Sequence, residues 1–590
     1  MREGEVSQVE LMAKDVEFVI RGLLEEGRAV LVAFSSGKDS SLVLALALNA
    51  ALALKRSGGD VPPILITHGD TGIENPTISA LAMREMEKAR QFGLAHGITV
   101  VAEVARPSLN DSWAVSVLSG RKLPTFANAA SRDCTVGYKV LPMARLRKKL
   151  LARFKKHAAA AVTLLGTRFE ESTGRAARME ERGESATRPW SKNGQLFLSP
   201  IAFWTTDDVW EALGHIRRGA LEAFTNARDV FEVYAAGGGS SCAVVADMAT
   251  EGVKKSRACG ARFGCSLCAA VGRDKSLEAM IESDPGYAWL RGLNRIQRFI
   301  VDTQYDFDRR SWLQRQSDGN GFLVVKPDTY SPAMLAELLR YCLTADAEER
   351  VAARRVGSSP RFQLVSPSAV VAIDASWGLQ GQFERPFTAV EIWLDVHVRG
   401  RRYHPPENLV AFPPRGVPKE RFLWVGTDWG AGENLDFLGL RDVVREMVHQ
   451  DGTPNTTLKN GRQVLRAHEA ELFDVDEEAA EEFLTWEAEH KVEQSTRLDL
   501  AGTASYFYYA GLGLISTSKR HLGMLDEVVR RTNWKRDIGL CGSGAAAKAK
   551  ALSISREKRD EHLSEAARGA KSSVPDRSLH EQGQLKINPS

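Results

Sequence analysis

The stretch that decides the fold lies near the N-terminus, where residues 29–41 read Ala-Val-Leu-Val-Ala-Phe-Ser-Ser-Gly-Lys-Asp-Ser-Ser. The apolar run 29–34 predicts a buried strand. Ser40 or Ser41 can then cap a helix over residues 42–54. A strand, a short Ser/Gly turn and a helix start form a cradle for phosphate, because backbone N–H groups and the positive end of the helix both favour an anion. The spacing is not that of a Walker loop.

Strands alternate with helices over the first third of the chain. Strands are predicted at 29–34, 64–67, 98–104, 159–165 and 196–201, and helices at 42–54, 76–93, 139–156 and from residue 206 onward. This alternation predicts an α/β fold with a doubly wound parallel sheet. Ligands bind such sheets at the carboxyl ends of the strands. We therefore expect the phosphate loop, the turn at Asp70 and the turn at Arg168 to form one site.

Length and composition set the frame for the rest of the chain. The 590 residues carry a net charge of +3 and suggest two to four domains. We predict limits at 1–215, 216–330 and 331–540, with a tail at 541–590 whose composition favours disorder. The sequence shows no run suited to a membrane span and no secretory leader, so we expect a cytoplasmic protein without a membrane partner.

The region beyond residue 330 carries fewer signals. Apolar spacing predicts helices at 335–343 and 438–448, and residues 390–403 look extended. No chemistry-bearing motif stands out in this region.

Four of the seven cysteines crowd into residues 242–268, a density that favours metal or redox chemistry in a reducing compartment. The four are Cys242, Cys259, Cys265 and Cys268, and the others are Cys134, Cys342 and Cys541. Clustered thiolates suit Zn²⁺ or an iron–sulfur cluster. A structural zinc knuckle and inert buried cysteines are the alternatives.

Two basic clusters are candidates for DNA contact, because cations on a protein replace the counterions of DNA. The first contains Arg145, Arg147, Lys148, Lys149, Arg153, Lys155 and Lys156, and the second contains Lys519, Arg520, Arg530, Arg531, Lys535 and Arg536 around Trp534. A solvated helix face is the alternative for each.

The phosphate loop resembles the SGGxDS signature of the PP-loop superfamily of N-type ATP pyrophosphatases, with Ser36 where that signature has glycine. This resemblance implies an adenine nucleotide alpha-hydrolase-like fold, release of pyrophosphate from ATP, and Mg²⁺ as a second cofactor. Asp39 would help to hold Mg²⁺ or fix the loop. The implied nucleotide contacts are Ser35, Ser36, Gly37, Lys38, Asp39, Ser40, Asp70, Thr71, Gly72, Gly166, Arg168 and Arg175.

Three further segments, 133–142, 166–172 and 200–210, follow in the order typical of the PAPS/APS reductase branch of this superfamily. The resemblance covers residues 25–215. In that branch, arginines after the fourth strand contact the nucleotide phosphates or the transferred group, a role that suits a planar guanidinium. It implies that role for Arg168 and Arg175, for each of which a surface ion pair is the alternative.

The cysteines extend the resemblance. Reductases of the branch that carry a [4Fe–4S] cluster use a cysteine pair before the basic helix, where this chain has Asp133 and Cys134, plus a later CxxC. The run 259–280 resembles the DNA-phosphorothioation sulfurtransferase family, DndC. The implied ligands of a [4Fe–4S] cluster are Cys134, Cys259, Cys265 and Cys268, with Cys242 either a ligand or a persulfide carrier.

The resemblance implies an ATP-dependent sulfurtransferase that adenylates an oxygen of the DNA backbone, releases pyrophosphate and inserts sulfur. Its catalytic residues would be Lys38, Asp39, Asp70, Arg168 and Cys242. Its partners would be DNA, a cysteine desulfurase as sulfur donor and other subunits of a phosphorothioation complex. A sulfonucleotide (PAPS/APS) reductase, a tRNA thiolation enzyme and a DNA-binding scaffold with a degenerate loop are the alternatives.

Overall fold

The computed structural model describes most of the chain. The described residues are 7–124, 135–158, 161–238, 263–317, 320–424, 455–457, 463–465, 473–517, 522–537, 539–542 and 544–569. All structural statements below concern these residues.

A six-stranded sheet organises the N-terminal part. Its strands are β1 (Val30–Phe34), β2 (Ile64–Gly69), β3 (Val100–Ala105), β4 (Val162–Leu164), β5 (Trp190–Lys192) and β6 (Gln195–Leu198). They lie in the order β3-β2-β1-β4-β6-β5. All neighbours are parallel except β5 and β6, which pair antiparallel. The predicted α/β fold with a mainly parallel sheet is confirmed, and the strand order reverses between β1 and β4, where such sheets bind ligands.

Helices flank this sheet. They are α1 (Gln8–Glu25), α2 (Lys38–Arg56), α3 (Pro76–His96), α4 (Trp113–Leu118), α5 (Leu141–Arg153), α6 (Lys155–Ala158), α7 (Thr173–Glu181), α8 (Thr206–Arg218) and α9 (Arg228–Gly238), and a π-helical turn, Thr135–Val140, precedes α5. Asn75 caps α3 and Thr205 caps α8 with side-chain hydrogen bonds, which satisfies amides that have no partner within a helix. The single basic helix predicted at 139–156 is wrong in one respect, because the backbone breaks at Phe154 and divides it into α5 and α6.

Both faces of the sheet are covered. Helices α1, α2, α3, α8 and α9 share one apolar core with β1 and β2. On the other face, Leu146 and Leu150 of α5 pack against Leu31 and Leu65. Each fully buried leucine contributes about 1.5–3 kcal/mol, so both helix layers hold the strand ends in fixed positions.

The C-terminal part is largely helical. Its helices are Lys275–Ser283, Arg291–Asp302, Pro332–Arg355, Pro367–Gln380, Thr388–His397, Glu477–Glu482, Ala488–Arg497, Ala504–Leu512, Leu522–Asp537, Ala545–Leu552 and Arg556–Gly569, with short 3₁₀ or π turns at Pro285–Leu290, Phe307–Arg309 and Phe483–Glu487. A further 3₁₀ turn, Phe169–Glu171, lies between β4 and α7 in the N-terminal part. Arg310–Ser317, Phe322–Tyr330 and Arg421–Trp424 form an antiparallel three-stranded sheet, and two short strand pairs join Asn455–Thr457 to Gln463–Leu465 and Asp474–Val475 to Ile515–Ser516. None of the described helices is long and apolar enough to cross a membrane.

Two predictions for this part are wrong. Residues 390–403 were expected to be extended, but Thr388–His397 is a helix whose Ala389, Val390 and Ile392 are buried. An apolar, β-branched run does not distinguish a strand from a buried helix.

The tail was expected to be disordered from residue 541, but residues 545–569 form two helices. Ala549 is buried against an apolar cluster that contains Trp312 and Leu423, and Ile554 pairs with Phe422. The helix predicted at 438–448 lies outside the described residues. The domain limits stay predictions.

Candidate active site

The phosphate loop lies between β1 and α2, at the carboxyl edge of the sheet. No side chain caps α2, whose N-cap residue is Gly37. The first-turn amide of Lys38 instead donates to the hydroxyl of Tyr234 over 3.2 Å. Within the loop, the hydroxyls of Ser35 and Ser40 lie 3.0 Å apart and are hydrogen bonded. The loop therefore presents amides and hydroxyls at a helix N-terminus, as an anion site requires.

Ser36 adopts the conformation that glycine favours. Its φ is +56°, in the left-handed region. Its buried hydroxyl donates to the carbonyl oxygens of Ser35 at 2.6 Å and Ile78 at 3.2 Å. A non-glycine residue costs roughly 1–2 kcal/mol in this region, and these bonds to the loop and to α3 offset that cost. Serine can therefore occupy the position where the signature has glycine.

Asp39 is fixed from two sides. One of its oxygens accepts from the ammonium of Lys38 at 2.6 Å, and the other accepts from Nε of Arg168 at 2.6 Å. The Lys38 and Asp39 side chains are mostly buried, at 12% and 19% exposure. Ion pairs in such surroundings are screened less than surface pairs, so Asp39 holds the ammonium group of Lys38 beside the loop.

Arg168 is a buried hub. Its side chain is 1% exposed and also donates to Glu170, to the carbonyl of Trp204 and to the hydroxyl of Thr206. Together with Asp39, four groups therefore occupy its guanidinium. This geometry favours a role in which Arg168 positions Asp39, while the predicted phosphate contact stays a prediction.

Gly166 lets the β4 turn approach the loop. A Cβ atom at this position would lie 3.0 Å from the amide nitrogen of Ser40 and 3.1 Å from the carbonyl carbon of Asp39. Both contacts are with backbone, which cannot swing away. Glycine at this position therefore allows the two predicted segments to meet without displacing the backbone of the loop.

Asp70 closes the turn after β2. Its Oδ1 accepts from the amide of Gly72 at 2.9 Å, and its Oδ2 accepts from Nε of Arg106 at 3.0 Å. Gly72 has a φ of +76°, which glycine adopts without strain. The Asp70 turn thus lies at the same sheet edge as the phosphate loop.

The described end of the cysteine region, residues 263–268, docks on the Asp70 turn; we call these six residues the cysteine segment. The amide of Ser266 donates to the carbonyl of Ile73 at 2.7 Å, and Cys265 pairs with Glu74 as an isolated β-bridge. The Thr71 hydroxyl lies 3.7 Å from the Cys265 sulfur. Burial raises the pKa of the Cys265 thiol to about 11. The sequence reasoning grouped these segments by family order, and the structure brings them into contact.

The predicted metal ligands fall into two groups. Cys265 and Cys268 belong to the cysteine segment, whereas Cys134, Cys242 and Cys259 lie outside the described residues. Within the described ranges, no three His, Cys, Asp or Glu side chains form a metal-binding group. The [4Fe–4S] cluster stays a prediction.

Arg175 lies apart from the loop contacts described above. It lies in the first turn of α7 and pairs with Glu171, and its side chain is 43% exposed. Its predicted contact with nucleotide stays a prediction.

The sequence did not predict two residues of the site, Tyr234 and Glu184. Tyr234 reaches the loop from α9, 196 residues along the chain from Lys38. The buried Glu184 accepts from Thr167 at 2.9 Å and from Ser199 at 2.7 Å, which holds the β4 turn. Neither residue carries a local sequence signal, because each contact depends on how the helices pack.

The basic helix is only partly available to a ligand. Lys149 and Arg153 both pair with Glu103 of β3, and Arg147 is half-buried. Burial lowers the pKa of Arg147. Lys148, Lys155 and Lys156 are exposed. In the second cluster, Lys519 and Arg520 lie outside the described residues.

Comparison with protein families finds a match to the sheet region of the chain. No curated protein matches the chain significantly. Residues 29–216 match the family described as phosphoadenosine phosphosulfate reductase domain. The matched residues contain the phosphate loop, the Asp70 turn and the Arg168 turn. The match supports placing residues 29–216 in the PAPS/APS reductase-like PP-loop superfamily, whose reductase domains act on nucleotides.

Proposed function

We propose that this chain is an ATP-dependent sulfurtransferase that adenylates a phosphate oxygen of DNA and then replaces that oxygen with sulfur. One observation carries the proposal: the cysteine segment docks on the Asp70 turn, beside the phosphate loop. A nucleotide-activating loop and a sulfur-bearing segment therefore share one edge of the sheet.

The first step forms a bond from a DNA phosphate oxygen to the α-phosphorus of ATP and breaks the bond from that phosphorus to the β-phosphate oxygen. Pyrophosphate leaves with the electron pair. The Lys38 ammonium and the N-terminus of α2 would stabilise its charge. Asp39, held by Arg168, keeps Lys38 in place.

Mg²⁺ would neutralise charge on the phosphates when bound. Carboxylate oxygens are suitable ligands, and Asp70 fits because its partner Arg106 is 62% exposed and can move away. Asp39 is the second carboxylate at this edge, although both of its oxygens already accept hydrogen bonds.

In the second step, the terminal sulfur of a persulfide attacks the DNA phosphorus and AMP leaves with the transferred oxygen. The resulting P–S–S linkage needs two electrons, which a second thiol supplies as it forms a disulfide. Cys242 is the predicted persulfide carrier and lies outside the described residues. A cysteine desulfurase would load the sulfur.

A [4Fe–4S] cluster would bring redox capacity or bound sulfide to this edge. Cys265 and Cys268 fit two of its four thiolate positions, and Cys134 and Cys259 would complete the set. Thiolate ligation would require Cys265 and Cys268 to lose their protons.

Product analysis with three acceptors tests the proposal. The protein is incubated anaerobically with ATP, Mg²⁺, cysteine and a cysteine desulfurase, and separately with duplex DNA, tRNA or no acceptor. Mass spectrometry of digested nucleic acid should show phosphorothioate linkages in DNA. The amount of AMP formed should rise in proportion to these linkages. Thionucleosides in tRNA without DNA modification would contradict the proposal.

A sulfonucleotide reductase is the second candidate, because the matched family is a reductase domain. Incubation with APS or PAPS and a thiol separates the two. Sulfite release together with unmodified DNA would replace the sulfurtransferase proposal with this one. Absence of AMP formation in every arm would favour the DNA-binding scaffold.

A further inference from the structure

Tyr234 makes an unusual contact with the phosphate loop. Its hydroxyl accepts the amide hydrogen of Lys38 at 3.2 Å and would lie 3.3 Å from a Cβ atom at Gly37. The amides of the first helical turn are the groups that bind an anion at a helix N-terminus. The phenol oxygen therefore lies where a nucleotide phosphate oxygen would bind.

The ring of Tyr234 connects this position to the cysteine segment. Phe263, the first residue of that segment, packs edge-on against Tyr234 with the ring centroids 5.2 Å apart. Trp210 of α8 packs edge-on at 5.1 Å. Tyr234 is thus held between the sheet domain and the cysteine segment.

Gly237 makes room for this arrangement. A Cβ atom there would lie 2.3 Å from Cζ of Phe263, a distance at which the ring must move. Glycine, one helical turn after Tyr234 on α9, lets the Phe263 ring lie against the helix. The contact between α9 and the cysteine segment is therefore close-packed. Because the packing leaves no free space, a displacement of α9 should also displace the cysteine segment.

We propose that Tyr234 is a positioning residue whose hydroxyl yields the Lys38 amide to a nucleotide phosphate, and that Phe263 transmits this displacement to the cysteine segment. The inference rests on the proposed function, since it assumes that the loop binds a nucleotide. It adds a physical link between ATP binding and the sulfur-bearing side of the site.

Removing the Tyr234 hydroxyl tests whether this group competes with the nucleotide for the Lys38 amide. The affinity of α,β-methylene-ATP with Mg²⁺ is measured by calorimetry for the full chain and for Tyr234→Phe. A neutral hydrogen bond is worth about 0.5–1.5 kcal/mol net, so loss of the competing hydroxyl should tighten binding roughly 2- to 10-fold. Tyr341→Phe is the control, because its hydroxyl bonds Glu337 within one C-terminal helix. An unchanged or weaker affinity of Tyr234→Phe would overturn the proposal.

Amide hydrogen exchange tests whether Phe263 transmits the displacement to the cysteine segment. In the wild-type chain, the analogue should accelerate exchange of the Ser266 and Cys268 amides, which bond Ile73 and Cys265. Phe263→Leu should lose this acceleration while it retains its affinity within about twofold. Phe197→Leu, whose ring stacks on Trp190 at the sheet edge, should keep it. Equal acceleration in Phe263→Leu and wild type, or none in wild type, would overturn the coupling.

The outcomes separate the two proposals. If the analogue does not bind the wild-type chain, the proposed nucleotide site fails. If it binds wild type and Tyr234→Phe equally well, the nucleotide site stands and the role of Tyr234 fails.

Discussion

Single side chains in this site act mainly by holding one another. Asp39 fixes Lys38, Arg168 fixes Asp39, and Gly166 lets the two turns meet. The sequence predicted these residue types at the site through spacing and resemblance. It did not predict that Arg168 would be buried, because burial depends on Trp204 and Thr206 from another turn.

Loss of Arg168 should destabilise the sheet domain. Arg168→Met leaves Glu170 without its cation and Asp39 with Lys38 alone, and breaking a buried pair costs several kcal/mol. Because Asp39 and Glu170 are 19% and 51% exposed, we expect a smaller loss of about 2–4 kcal/mol. Thermal unfolding followed by circular dichroism measures it. Arg56→Met, which breaks the exposed pair with Glu222, is the control and should leave the transition unchanged; equal transitions for both variants would contradict the hub role.

Gly166→Ala should impair nucleotide binding more than folding. The added methyl group meets the backbone of Asp39 and Ser40 and must push the loop away. We expect affinity for an ATP analogue to fall by at least about tenfold, since misplacing donors by a few tenths of an ångström weakens several hydrogen bonds together. Gly174→Ala, which has open space around the added atom, should bind normally. Normal binding by Gly166→Ala would show that the loop tolerates displacement.

At the scale of elements, periodicity and caps predicted the sheet well. The starts of α3 and α8 follow from Pro76 and from the Thr205 cap, and the five predicted strands lie within three residues of the observed bounds. The antiparallel edge strand β5 was not predicted. Pattern reasoning failed at Thr388–His397, because an apolar, β-branched run can form either a strand or a largely buried helix. It also failed for residues 545–569, whose few buried residues rely on a remote sheet.

Buried carboxyls in the C-terminal helices predict a pH effect. Burial raises the pKa of Asp346 to about 7 and that of Asp374 to about 6. The folded chain thus retains protons that the unfolded chain releases, and the free energy of unfolding should fall as pH rises from about 4 to about 7.

Asp346→Asn should remove part of this dependence. Relative to wild type, the variant should gain about 1–3 kcal/mol between pH 5 and pH 8. Unfolding curves for both proteins at these pH values provide the measurement. Asp207→Asn, an exposed change in the first turn of α8, is the control. If the free energy of unfolding changes with pH by the same amount in Asp346→Asn and in wild type, the prediction is wrong and Asp346 carries its charge in the folded state.

At the scale of the whole molecule, the site is assembled from distant segments. The phosphate loop, α9 and the cysteine segment meet although residues 34, 234 and 265 lie far apart in the chain. Family order suggested that such segments cooperate, but only packing shows that the cysteine segment lies on the Asp70 turn. DNA as the acceptor is a proposal that rests on the family resemblance and not on these contacts.

The exposed part of the basic cluster offers a test of the DNA partner. Lys148, Lys155 and Lys156 point into solvent, whereas Lys149 and Arg153 are paired with Glu103. Replacing Lys148, Lys155 and Lys156 with alanine should lower the slope of log K against log salt by roughly 2–3 for duplex DNA, at about 0.9 per phosphate contact. Lys192→Ala, on the exposed edge strand, is the control. An unchanged slope in the triple variant would remove this surface from the DNA interface.

The most direct test of the central claim is the identity of the products formed from ATP. Chromatography of a reaction that contains Mg²⁺ and duplex DNA should show AMP and pyrophosphate in equal amounts. Asp39→Ala should reduce both by roughly 100-fold or more, because Lys38 then loses the carboxylate that holds it beside the departing charge. Formation of ADP and phosphate, or undiminished AMP from Asp39→Ala, would contradict cleavage between the α and β phosphates at this loop.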